Sequence, residues 1–181
     1  MNGVHSHISK TGRDKGFSLP ELLITLIVIV VLVSAAAPSF DSIVASNKLK
    51  RLATEIEWLM VQAKSEAVMR GENVTVDIVG IAISSATGTD PDWQIQAKTS
   101  IGNEVIARVS GEQFPKISLY RTFTVSNVLF DSMTGRPNRN GSFVLSTGEK
   151  ESVKVKASNM TGRLYVCSES GGYGYGSCPK S

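Results

Sequence analysis

The chain is poor in the residues that most often do chemistry. Its two histidines, His5 and His7, stand within the first seven positions. Everything downstream lacks the commonest general base and the commonest metal ligand. Two ligands in a polar tail make a poor metal site, so neither a metal nor any other cofactor is expected. Cysteine is equally scarce, with Cys167 and Cys178 alone near the C-terminus. No metal-binding cluster, nucleophile elbow or phosphate loop is present. Asp77, Asp90, Asp92 and Asp131 have no spacing that suggests a working carboxylate pair. The run Gly171-Gly172-Tyr173-Gly174-Tyr175-Gly176 does not fit G-x-G-x-x-G and no helix follows it, so it reads as a surface loop. An enzyme is not expected.

What the chain does have is one long apolar run. Lys15-Gly16-Phe17-Ser18-Leu19-Pro20-Glu21 leads into a stretch that carries no charge from Leu22 to Ala37, with Thr25 and Ser34 as its polar interruptions. Extended to Leu19 and Phe40, stepping over Glu21, it reaches about 20 residues, enough for a hydrocarbon core of roughly 30 Å. An acid at the front of such a segment costs on the order of 2.5–3.5 kcal/mol at the bilayer centre, which implies a function for Glu21. An ordinary secretory signal cut after Ser34-Ala35-Ala36-Ala37 would also supply an apolar core. Pro38 directly after that site argues against it, and a plain anchor leaves the Gly-Phe-x-x-x-Glu boundary unexplained.

Gly16-Phe17-Ser18-Leu19-Pro20-Glu21 followed by an apolar helix resembles the type IV prepilin signature. The resemblance implies removal of residues 1–16 by a prepilin peptidase between Gly16 and Phe17, and N-methylation of Phe17. It makes Glu21 the acid at mature position five, which helps the subunit enter a helical filament. Pro38 matches a proline common in that family. Pro20 departs from its usual aliphatic residue, a mild departure because a first-turn N–H has no intrahelical partner to lose. Gln62-Ala63-Lys64-Ser65-Glu66-Ala67-Val68, Arg70 and Asn73-Val74-Thr75-Val76 are similar to the helix end and first strand of minor pilins and pseudopilins of the FimT/GspH type.

The expected organisation is a leader over 1–16, a transmembrane or filament-core half-helix over 17–40, and a periplasmic globular domain over 41–181. One helix is expected over 17–69. Its second half repeats Leu49, Leu52, Ala53, Ile56, Leu59, Met60, Ala63 and Ala67 at spacings of three and four, one buried face. Gly71 is placed to end it, and Pro38 to kink or loosen it. Strands are expected over 74–79, 93–97, 105–109, 117–125, 142–146, 153–158 and 163–166, with loops over 86–92 and 133–141. The fold class is α+β: a long helix against one small, mostly antiparallel sheet, the type IV pilin-like arrangement.

Positive charge before the apolar run keeps the leader cytoplasmic and sends the domain across the membrane. There an oxidising compartment favours a Cys167–Cys178 disulfide, with two free thiols as the alternative. Residues 17–115 carry 7 basic and 11 acidic side chains, and residues 116–181 carry 9 and 4. The basic half offers Arg136, Arg139, Lys154, Lys156, Arg163, Tyr173, Tyr175 and Lys180 as a candidate track for a phosphate backbone. Some FimT-type pilins bind DNA through a C-terminal Gly-Arg-x-Arg. Here Gly162-Arg163-Leu164-Tyr165 lacks the second arginine, and Gly135-Arg136-Pro137-Asn138-Arg139 is one residue too long. A solvated sheet face accounts for the same lysines.

The function expected is that of a minor pilin in type IV pilus assembly. The alternatives are a pseudopilin of type II secretion, a DNA-binding minor pilin, and an unrelated anchored periplasmic domain. Implied partners are other pilins or pseudopilins, the prepilin peptidase, the inner-membrane assembly platform and membrane lipid.

Overall fold

The computed structural model describes residues 16–83, 91–148 and 152–179, and of residues 35–39 the backbone alone. Residues 1–15 of the leader, most of the 86–92 loop and Lys180 lie outside the described residues. The chain divides into two compact units, Met1–Phe40 and Asp41–Ser181. Helix α1, Leu19–Arg70, runs through both and remains helical across Pro38.

The helix begins and ends as its sequence dictates. Ser18 accepts the first intrahelical bond, from Leu22 N at 3.1 Å, and is the N-cap. Pro20 follows in the first turn, where it loses nothing. At the other end Glu72 N bonds Ala67 O and Gly71 N bonds Val68 O, with Gly71 at φ 64°. This is the paired-bond stop that needs a left-handed residue, and glycine adopts it without a Cβ penalty.

The second unit is built on the buried face of α1. All eight helix residues expected there are buried, each at 2% exposure or less. They share one core with Val74, Val76, Ile95 and Val128, and with Phe143, Leu145, Val153 and Val155.

Eight strands follow: β1 Val74–Val79, β2 Gln94–Thr99, β3 Val105–Ser110, β4 Ser118–Arg121, β5 Asn127–Phe130, β6 Gly141–Ser146, β7 Val153–Ala157 and β8 Leu164–Ser168. They form two sheets instead of the one expected, ordered β3-β2-β1-β5 and β4-β6-β7-β8, with antiparallel neighbours throughout. The difference arises at the expected 117–125 strand, which stops at Arg121. The guanidinium of Arg121 binds the carbonyls of Phe123 and Val125, so this apolar segment curls around its own arginine. The chain then re-enters as β5 beside β1, in the other sheet.

Candidate assembly segment and basic face

The apolar half of α1 has no cover of its own. From Leu22 to Val33 every large apolar side chain is at least half exposed, on all sides of the helix. A helix that is apolar all round is stable only inside something else. Among the described residues no helix is long and apolar enough to cross a membrane. The charge-free stretch with described side chains runs only from Leu22 to Ser34, while in sequence it continues to Ala37. Thr25 and Ser34 turn their hydroxyls back to Leu22 O and Val31 O, both at 2.8 Å, so neither leaves a free donor on this surface. Apolar character is therefore maintained past both polar residues.

Gly16 and Phe17 precede the helix, exposed and without regular structure. Glu21 sits in the first turn, exposed, three residues after the N-cap Ser18. That is capping-box spacing, and it sets the acid at the positive end of the helix dipole. No cation among the described residues pairs with it. In the uncut chain the nitrogen of Phe17 is an amide; cutting after Gly16 would create an ammonium four residues away.

Cys167 and Cys178 are bonded, with Cα atoms 4.9 Å apart. The closed loop is held by Ser168 N to Gly176 O and Cys178 N to Ser168 O, at 3.0 and 2.9 Å. Its tyrosines lie half-buried toward the helix. Tyr175 Oη reaches Lys50 O, and both rings pack against the core.

The basic candidates are only partly brought together. Lys156 and Tyr165 are directly opposed across β7 and β8, and Arg163 lies two residues before Tyr165. Both cations lie over the Tyr165 ring, at 5.9 and 5.6 Å from its centroid, and neither has an ion-pair partner among the described residues. A shallow cleft beside them is lined by Thr122, Asn140, Ser142, Lys156 and Tyr165. Lys154 is neutralised by Glu169 at 2.9 Å. Ser152 and Lys154 both donate to Glu169, and the Lys154 bond above all holds that carboxyl below its usual range. Arg136 is exposed with its stem against Gly162, and Arg139 is exposed on the β5–β6 connection. Lys64 donates to Gly162 O at 2.8 Å, which fixes the turn before β8.

Two features escaped sequence reasoning. Arg121 is buried, and its partners are backbone carbonyls, which leave no side-chain signature. Trp58, Val61, Val68 and Met69 form an exposed apolar stripe on α1, at 67, 41, 48 and 70% exposure. Their spacing of three, seven and one was legible in the sequence.

Fold and site together define a prepilin-like subunit: a methylation-type apolar N-terminus continuing into a helix that anchors an antiparallel β domain. The chain belongs to the type II transport protein GspH family, whose model matches residues 52–162. Residues 11–37 match the prokaryotic N-terminal methylation motif, which implies inner-membrane anchoring and a place in a pilus or pseudopilus. Two crystal forms of the type IV minor pilin FimU of Pseudomonas aeruginosa are similar in structure. One is 15% identical, covering 66% of this chain and 88% of that one, with a TM-score of 0.48. The other is 16% identical, covering 65% and 91%, with a TM-score of 0.45. No curated protein matches the chain in sequence. The protein is thus a minor pilin or pseudopilin that functions in assembly of a pilus-type filament.

Proposed function

We propose that the chain is a structural subunit, and not an enzyme, that primes or joins a type IV pilus as a minor pilin. Prepilin peptidase cuts between Gly16 and Phe17, and Phe17 is methylated. The apolar half-helix first holds the protein in the bacterial inner membrane as a single pass, with residues 41–181 in the periplasm. The assembly platform then moves it into a filament. There Glu21 pairs with the ammonium of Phe17, its own or that of a neighbouring pilin. The observation that carries this reading is the apolar surface of Leu22–Val33, at least half exposed on every side, behind a single first-turn acid.

A pseudopilin of type II secretion is the second reading, favoured by the match to the type II transport protein GspH family. Both share the processing step. A DNA-capture role would draw on Lys156, Arg163 and Tyr165, with Arg136 and Arg139 nearby in sequence to earlier strands. It calls for salt-sensitive DNA binding by the protein, lost on charge reversal at Arg136 and Arg163.

The test is the N-terminus of the mature protein, read by mass spectrometry of membranes from cells with and without prepilin peptidase. A peptidase-dependent start at methylated Phe17 is expected. A start at Pro38, or an intact Met1, removes the basis of the proposal.

A further inference from the structure

The end of the second unit at which the chain enters carries three lysines and two strained residues. Two clefts flank the first turns of α1 in this unit. One is lined by Asp41, Val44, Lys48 and Lys116; the other by Ile43, Lys50 and Tyr173. Lys48 and Lys116 are exposed, and no carboxylate among the described residues pairs with any of the three lysines. Ile43 and Val44 expose 54 and 36% of their surface between them. Asp41 is the single acid lining either cleft.

Lys116 and Tyr173 have φ of 70° and 57°, in the left-handed region that side chains with a Cβ avoid. Lys116 follows Pro115 in a tight turn closed by Ile117 N to Phe114 O, at the position where glycine is preferred. Among the described residues only Asn103 shares this conformation without being glycine. So two of the three strained side chains line these two clefts. Backbone strain of this kind persists where the surroundings over-determine it, and it clusters at ligand-binding and switch sites.

We infer that this end of the domain is a headgroup-docking surface: Lys48, Lys50 and Lys116 hold the phosphates of anionic phospholipids, with Ile43 and Tyr173 at the apolar boundary. The inference rests on the reading of Leu22–Ala37 as bilayer-embedded. Asp41 is four positions beyond Ala37, and four steps along the chain span at most about 14 Å in any conformation. The headgroup layer is itself about 5–7 Å deep on each side. Asp41 therefore lies at or beside that layer, whatever the path of the intervening segment. Helical side chains lean toward the N-terminus, so Lys48 and Lys50 lean back along the helix toward Asp41. A long lysine stem lets the ammonium find the phosphate while its methylenes stay on apolar surface. Entry into a filament would break these contacts, so docking belongs to the membrane pool of the protein.

The test uses the full chain in lipid nanodiscs, one chain per disc, with either purely zwitterionic lipid or a mixture containing phosphatidylglycerol. Amine-reactive labelling, read residue by residue by mass spectrometry, reports the lysines, and co-elution with the disc reports embedding. Labelling of Lys48 and Lys116 is expected to fall by about five-fold in anionic discs, the scale of one lysine held at an anionic surface. Lys98 and Lys156 should not change. The variant K48E/K116E should embed equally and lose the protection of Lys50. Equal labelling in both lipids, with the chain embedded, overturns the inference. Protection that requires two chains per disc, whatever the lipid, also overturns it, in favour of a second copy. A chain that fails to co-elute overturns the anchor itself and this surface with it.

Discussion

Arg121 is a buried cation whose described partners are all backbone carbonyls. Its Nε donates to Ile81 O at 3.0 Å, and its Nη1 to Phe123 O at 3.1 Å and to Val125 O. Its own N–H meets Ala82 O at 2.9 Å, so one residue ties the segment after β1 to β4 and to the curl after it. The planar fork of arginine serves several acceptors at once, which a point-like ammonium does less well. Arg121→Met should leave these carbonyls unsatisfied at a cost of about 3 kcal/mol, seen as a fall in Tm on the order of 10 °C. Arg121→Lys should recover part of it. A loss below about 1 kcal/mol in Arg121→Met would mean that water replaces the guanidinium. A second prediction concerns acid. Hydrogen bonds from Thr134 hold Asp131 below its ordinary pKa, as Lys154 and Ser152 hold Glu169. A carboxylate with a lowered folded pKa contributes stability that is fully present above about pH 4, and loses it as pH falls through the lowered value. Glu57 runs the other way: burial raises its pKa, so its ionised form weakens the fold at neutral pH and its protonation relieves this. Urea midpoints measured from pH 5 to about pH 2 should fall less steeply in Asp131→Asn/Glu169→Gln than in the parent. Parallel slopes would place the acid-sensitive groups elsewhere.

Among the elements, the C-terminal loop depends most on a covalent tie. The Cys167–Cys178 bond keeps Tyr173 and Tyr175 packed near the start of the second unit's helix, through Tyr175 Oη on Lys50 O and Tyr173 Oη near Thr147 Oγ1, both at 3.5 Å. Loop-closure entropy for about 12 residues is worth roughly 3 kcal/mol. Cys167→Ser/Cys178→Ser should therefore melt earlier than the parent under oxidising conditions, and reductant should bring the parent down to the variant. A parent indifferent to reductant would show that the loop is held by its packing alone. How far each element could be read in advance follows from how local its cause is. Helix α1 was legible in its buried face, a short-range repeat, and in its stop at Gly71 beside Ala67 and Val68; its start at Leu19 behind the Ser18 cap, two residues after the expected one, was not. Strand β1 was legible to the residue for the same reason. Strand β5 was not, because Thr122–Ser126 is as rich in β-branched residues as a strand, and the arginine that curls it is a tertiary effect. The division into two sheets was lost with it. The pairing of Lys156 and Arg163 on Tyr165 needs the β7–β8 register, which the sequence does not state.

On the scale of the whole molecule, folding and assembly draw on separate parts of the chain. The core that holds the domain begins at Leu49, and no residue before it is buried among those described. The motif that implies processing and filament entry ends before Asp41. This separation is why function was more legible than fold: the Gly16–Glu21 signature is contiguous, whereas the sheets depend on distant pairings. It also makes the role of Glu21 testable without confounding it with stability. Glu21→Ala removes one exposed first-turn acid and touches nothing in the core, so the melting of the second unit should match the parent within error. Peptidase cutting after Gly16 should also proceed, since Gly16 and Phe17 lie outside the helix. Incorporation into filaments should fall sharply. In a filament core the ammonium of Phe17 would be left without its carboxylate, and stranding one partner of a buried pair costs about 3–5 kcal/mol. The measurement is the fraction of cut protein recovered in sheared filaments relative to membranes, parent against variant. Unchanged recovery with normal cutting would remove Glu21 from assembly and leave the apolar surface of Leu22–Val33 to drive entry by itself.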